Sequence, residues 1–266
     1  MTVFGVPFDS TTSYRPGARF GPNAIREAFL NVEAYSKALD VDVEKVPIRD
    51  LGNLAVNRDP KGTIEMVSKV AQELFKEGER FCMLGGEHSI TLGSVRNAPK
   101  DSGLVVFDAH FDLRNEWEGS IYSHACYLRR VLEKRNPKSV VHIGGRAATK
   151  EEWDLSKKLG FVVEPQAAES PASVKRFQKF LSSFESVYVT LDIDALDPAY
   201  APGTGTPEPG GLTTSTLLGY IYALRRTKIV AFDIVEMSPP YDNGATSTAA
   251  ARFMNELVGI VAKQTQ

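Results

Sequence analysis

The sequence predicts an α/β fold, with a mostly parallel central sheet and helices on both of its faces. Three observations carry that expectation. Short runs of apolar and β-branched residues alternate with longer amphipathic runs, the pattern of repeated β–α units rather than of hairpins. Side chains able to hold a ligand arrive at the ends of several apolar runs, and open α/β sheets bind ligands at the carboxyl ends of their strands. No repeat, low-complexity tract or linker breaks the alternation, so one domain over residues 1–266 is the economical expectation.

In order, 2–7 reads as a strand and 9–20, polar and rich in Gly and Pro, as a loop. Pro22 starts a helix expected to run to about Tyr35. An amphipathic stretch over 61–78 ends on a Gly stop. A strand at 81–85, a turn and a strand at 104–108 follow. The spacing predicts a helix over 122–134, a strand at 139–144, a helix at 150–159 and a short strand at 161–164. A helix over 173–184 leads into a buried strand at 186–192. Thr213 or Thr214 caps a helix reaching Arg225. A strand at 228–234 and a helix at 247–262 close the chain. Long loops in a compact chain usually carry function, and 9–20, 113–123 and 197–212 all follow strands, so all three can rim one sheet edge.

Bulk properties exclude several classes. The 266 residues carry a net charge of −2, which leaves no basic field for nucleic acid. The N-terminus lacks a basic segment followed by an apolar one, and no stretch approaches the ~20 apolar residues of a membrane span. Cys82 and Cys126, without Cys-x-x-Cys spacing, read as reduced core residues, Cys82 in a strand and Cys126 in a helix; a cytoplasmic protein is expected. A Gly-Thr-Gly at 203–205 has no Gly-Lys-Ser/Thr after it, and prolines stand where a phosphate nest needs N–H donors.

The chemistry gathers at strand ends. Asp192 and Asp194 stand two apart where 186–192 closes, and residues so spaced in extended chain project to one side. Such a pair alone is commonly a helix cap or a water ligand. Val105-Val-Phe-Asp108-Ala-His110-Phe-Asp112 repeats the pattern, however, and Phe81-Cys-Met-Leu runs into Gly85-Gly-Glu-His88. Together His88, Asp108, His110, Asp112, Asp192 and Asp194 supply four carboxylates and two imidazoles. Four negative charges in one pocket match two divalent cations, since a single cation leaves a costly surplus. Oxygen-rich ligation with some imidazole suits Mn²⁺ better than a structural zinc. Two such ions, roughly 3.5–4 Å apart, make a nucleophile from water near neutral pH, which points to hydrolysis. Of the four histidines, His142 lies within a strand run and reads as a core residue.

Gly85-Gly-Glu-His-Ser89, Asp108-Ala-His-Phe-Asp112, Ser123-His124 and the run from Asp192 to Pro207 resemble the ureohydrolase family of arginases, agmatinases and their relatives. The resemblance spans nearly the whole chain. Gly5-Val-Pro-Phe-Asp9, Arg15-Pro-Gly-Ala-Arg-Phe-Gly-Pro22 and Asp233-Ile-Val-Glu236-Met-Ser-Pro-Pro-Tyr-Asp242 resemble the agmatinase branch in particular. It implies a three-layer α/β/α sandwich of the arginase-like kind, two Mn²⁺ per subunit, cleavage of a guanidino compound to urea and an amine, and a homotrimer or homohexamer. It also implies that all six residues are metal ligands, with Asp108 and Asp192 among the shared ones and His88 and Asp112 each serving one ion. Glu236 is similar to the family's guanidinium-binding glutamate; a planar cation with several N–H donors wants a facing carboxylate. His124 is similar to its proton-shuttling histidine. Catalysis is thus expected from His124, Glu236 and Asp112.

The far end of the substrate should meet the loop 113–123. Arginases are expected to hold the amino-acid head with an Asn two residues after the last Asp of Asp-x-His-x-Asp, where this chain has Arg114, and Asn115 is displaced by one. Glu116 or Glu118 could attract a second positive charge; Arg114 could pair a carboxylate instead. Agmatine, giving putrescine and urea, is expected from the branch resemblance. Guanidinobutyrate and arginine are the alternatives, and a catalytically idle binding protein is the reading from another class.

Overall fold

The computed structural model describes residues 1–164 and 170–265. Among the described residues ten strands form: β1 (Thr2–Val6), β2 (Tyr35–Ser36), β3 (Val41–Asp42), β4 (Arg49–Asn53), β5 (Phe81–Gly85), β6 (Gly103–Phe107), β7 (Val140–Ile143), β8 (Val162–Glu164), β9 (Ser186–Asp192) and β10 (Lys228–Val235). Eight α-helices of the described residues join them: α1 (Gly21–Phe29), α2 (Pro60–Lys76), α3 (Thr91–Val95), α4 (Tyr127–Leu132), α5 (Lys150–Leu159), α6 (Pro171–Leu181), α7 (Thr214–Ala223) and α8 (Ala245–Lys263). Eight strands make one sheet in the order β4-β1-β5-β10-β9-β6-β7-β8, all neighbours parallel. β2 and β3 make a separate antiparallel hairpin.

Strand side chains alternate between two cores. Val105, Phe107, Val189 and Leu191 enter the core beneath α1, α6, α7 and α8. Leu104, Val106 and Tyr188 enter the other, beneath α2, α3, α4 and α5. A parallel sheet buried on both faces favours apolar residues at most positions of its inner strands, which is why those strands read as near-continuous runs. The three-layer α/β/α sandwich and its mostly parallel sheet stand as expected. No helix among the described residues is long and apolar enough to cross a membrane.

Several boundaries differ from expectation. The helix from Pro22 stops at Phe29, six residues short of Tyr35; Asn31 turns back to cap the Glu27 carbonyl at 2.7 Å, and Tyr35 instead starts the hairpin. The helix expected over 122–134 opens as a 3₁₀ turn, His124–Cys126, whose N-cap Ser123 accepts from the Ala125 N–H, so Cys126 lies in that turn; regular helix begins at Tyr127. The helix expected at 173 begins at Pro171, capped by Ser170. The turn after 85 contains α3, entirely buried, in which a Cβ on Gly93 would stand 2.5 Å from the Ile64 carbonyl oxygen; the glycine lets α2 and α3 approach. Both cysteines are free and buried.

Candidate metal and catalytic centre

β5, β10, β9 and β6 are consecutive in the sheet, and the segments leaving their carboxyl ends carry His88, Glu236, Asp192 with Asp194, and Asp108 to Asp112. The six predicted ligands therefore converge. His88, Asp108 and Asp192 form one group able to hold an ion, and Asp108, His110 and Asp194 a second, sharing Asp108. Asp112 stands beside the first, its Oδ2 3.6 Å from His88 Nδ1.

Three aspartates use one construction. The Asp108 Oδ1 accepts from the His110 N–H (2.6 Å), the Asp192 Oδ1 from the Asp194 N–H (2.8 Å) and the Asp194 Oδ1 from the Ala109 N–H (3.0 Å). The second oxygen of each faces an imidazole: Asp108 Oδ2 and Asp192 Oδ2 are both 3.1 Å from His88 Nδ1, and Asp194 Oδ2 is 2.9 Å from His110 Nδ1. Backbone amides thus fix each carboxylate and leave one oxygen aimed inward.

Proton accounting around His88 shows what the centre lacks. Thr190 donates its single hydroxyl proton to Asp233 (2.5 Å), so it receives the His88 Nε2–H (2.9 Å). Asp233, wholly buried in β10, also accepts from the Tyr188 hydroxyl at 2.7 Å. In its neutral form, the form a metal selects, the ring would turn the lone pair of Nδ1 toward carboxylate oxygens. His88 Nδ1 and Asp108 Oδ2 are buried without a hydrogen-bond partner. Acceptors facing acceptors in a dry site fit a cation between them, and the donor set of oxygens with imidazoles fits a hard-to-borderline dication. Thr190 and Asp233 escaped the sequence reading, although polar residues inside buried strands were a visible signal. Thr190→Val should weaken metal affinity about 10–100-fold while Thr190→Ser largely retains it, measured by metal titration; equal affinity in all three proteins would refute the tether.

Glu236 and Asp112 adopt positive φ, 63° and 49°, uncommon for residues with a Cβ. Glu236 is held in that conformation by its N–H donating to the Gly86 carbonyl (2.8 Å) and by its Oε1 accepting from the His88 N–H (2.7 Å). His124 Nδ1 lies 3.6 Å from Glu236 Oε1, and its Nε2 is buried without a partner. Burial lowers the His124 pKa, but the Glu236 and Glu87 carboxylates outweigh that and raise it, favouring the protonated ring. Glu87, not predicted, accepts from the N–H and hydroxyl of Thr11, whose oxygen accepts the His124 N–H at 2.9 Å. The first loop thereby locates the histidine.

Ser13, Arg114, Trp117, Thr206 and Glu208 help line a cleft of about 430 Å³ above these groups. All three long loops thus border it, as expected. Asn115 and Glu116 line an adjacent depression with Leu113 and Leu155, where the Asn115 side chain accepts from Arg130. His142 is fully buried in β7, its Nε2 2.7 Å from the His110 carbonyl oxygen, a core residue as read.

Fold and centre together define a parallel α/β protein of the hydrolase type, with two groups of side chains able to hold cations beneath a cleft. The arginase family profile matches residues 1–259, and the chain belongs to that family. It is 40% identical over 266 residues to the N(1)-aminopropylagmatine ureohydrolase of Thermococcus kodakarensis, covering 98% of this chain and 90% of that protein. With the agmatinase of Pyrococcus horikoshii it shares 39% over 269 residues, 98% and 92% of the respective lengths. The crystal structure of the agmatine ureohydrolase of Thermoplasma volcanium superposes with a TM-score of 0.92 at 37% identity, covering 99% of this chain and 90% of that one.

Proposed function

We propose that the chain is a single-domain, binuclear Mn²⁺ hydrolase that cleaves a guanidino compound, agmatine above others, to urea and an amine. The observation that carries this reading is the pair of ligand groups sharing Asp108, with inward-facing acceptors left unpaired, beside a buried Glu236. His88, Asp108, His110, Asp112, Asp192 and Asp194 would hold the ions. Two divalent cations there supply Lewis acidity and a nucleophile drawn from water at neutral pH. Glu236 accepts N–H groups of the planar guanidinium and fixes its face toward the centre. His124, held protonated by Glu236 and Glu87, gives its proton to the departing amine nitrogen. The small acidic cleft suits a cationic small molecule, and the relatives' names add agmatine. The family resemblance supports a cytoplasmic homotrimer or homohexamer.

Arg114 is a weak candidate for holding a substrate carboxylate. Its guanidinium lies 4.3 Å over the Trp117 ring and its Nε 4.0 Å from Glu152. That disfavours the guanidinobutyrate reading, and arginine already lacks its expected asparagine. Purified protein reconstituted with Mn²⁺ and given agmatine, guanidinobutyrate and arginine should release urea from agmatine fastest; silence across the panel defeats the proposal. His124→Ala should lower kcat about 10²–10⁴-fold with metal content unchanged, read by metal analysis beside the urea assay.

A further inference from the structure

We infer that Glu208 is the specificity residue that pairs the distal cation of the substrate, so that the cleft reads a guanidinium at one end and an ammonium at the other. The inference rests on the proposed guanidine hydrolysis and extends it to the far end of the cleft.

One segment borders the site from its floor to its mouth. A Cβ on Gly205 would lie 3.6 Å from Glu236 Oε2; the Thr206 hydroxyl donates to Asp194 Oδ2 at 3.3 Å; Glu208 lines the cleft with its Oε1 3.9 Å from His110 Nε2. The segment bends at Gly205 and Thr206, and even fully extended three residues span at most roughly 10 Å, which keeps Glu208 within the reach of a guanidinium joined to an amine by a short alkyl spacer. Glu208 does not wander, because Arg146 grips its backbone. The Arg146 Nε and one terminal nitrogen donate to the Glu208 carbonyl at 3.2 and 2.8 Å, and the same guanidinium binds the carbonyls of Asp194, Ala195 and Leu196. The carboxylate is therefore presented from a backbone tied to the metal-ligand segment.

Three nearby charges are committed, and Glu116 lines the adjacent depression rather than this cleft. Glu152 is buried and accepts from Leu113 N–H, Thr149 N–H and the Thr149 hydroxyl. Arg114 stacks on Trp117, and Arg15 lies between the Tyr14 and Tyr241 rings at 5.0 and 5.2 Å. The Glu208 carboxylate keeps 43% exposure and accepts no closer partner among the described residues. A half-exposed carboxylate on a backbone tethered by Arg146 recognises an ammonium with little reorganisation.

The test compares agmatine with n-butylguanidine, which carries the same guanidinium and a neutral tail. Calorimetric binding and urea release are measured for the Mn²⁺-loaded wild-type protein and E208Q. Wild type should bind agmatine at least tenfold more tightly and show the same preference in KM; E208Q should collapse that ratio toward one with metal content intact. Equal wild-type affinity for the two ligands overturns the inference, as does a parallel loss for both in E208Q, which would mark Glu208 as a support for His110. Absent urea with the affinity ratio intact and sensitive to E208Q overturns the hydrolase reading alone.

Discussion

Asp108→Ala should reduce bound metal below two per chain and lower urea release by more than about 10³-fold. The reason is topological. Asp108 belongs to both ligand groups, whereas each of its partners in those groups belongs to one. It leaves the end of β6, beside β9, with Oδ1 tied to the His110 N–H and 3.7 Å from that ring's Nδ1, and Oδ2 3.1 Å from His88 Nδ1. Removing it opens both coordination sets at once. A thousandfold loss corresponds to about 4 kcal/mol of transition-state stabilisation, within reach of two Lewis-acid contacts and a lost nucleophile. His124→Ala is the control, since that ring reaches Glu236 and not the ligand groups. Metal analysis and urea assay on both variants separate the roles. Two ions retained in Asp108→Ala, or equal metal loss in both proteins, would contradict the division.

What the sequence made legible follows from where the information is local. The carboxylates and imidazoles were readable because strand ends bring them together through a regular sheet, and a parallel sheet announces itself by apolar runs. β4 was not readable: Arg49–Asn53 is an exposed edge strand with charged residues and a glycine, so neither period nor propensity marks it. α3 was hidden by composition, because Thr-Leu-Gly-Ser-Val reads as a turn and is helical only by packing. The far end of the cleft was less legible for another reason. Glu116 and Glu118 shared a loop with Arg114 and drew the expected second charge, but only the structure shows Arg146 carrying Glu208 to the mouth across 62 residues of sequence. Such tertiary contacts leave no local pattern. The His88–Thr190–Asp233 tether lay between these cases, visible as misplaced polarity but without a partner until the strands were ordered.

Stripping the metals should make stability fall as pH rises from about 4 to about 9, and reloading should cancel the fall. The signs come from five groups. Burial, then the neighbouring carboxylates, raise Asp112 and Asp192 well above the usual range. Such groups keep protons in the folded chain after their unfolded counterparts ionise near 4, so folding is increasingly opposed as pH rises. Burial lowers His88, but a protonated Nδ1 would donate to Asp108 3.1 Å away, and this with the charges of Asp108 and Asp112 prevails, raising it to about 9. A raised histidine contributes stability fully below its unfolded pKa near 6.5 and loses it as pH passes through about 9. His110 is raised too, by Asp194 and Asp108 against burial. Asp108 runs the other way: burial opposes ionisation, but bonds to His110 and His88 hold its pKa low, so its contribution is lost only on acidification below about 4. The metal-free folded state therefore holds the excess protons throughout the window. Dications must displace them, so metal binding tightens with pH and adds about 4 kcal/mol per site at a thousandfold excess over Kd. Thermal melts of chelated and Mn²⁺-loaded protein at pH 5, 7 and 9 should show a Tm gap that widens at each step. A gap that stays constant or narrows would mean that the cluster is not the proton store its geometry requires.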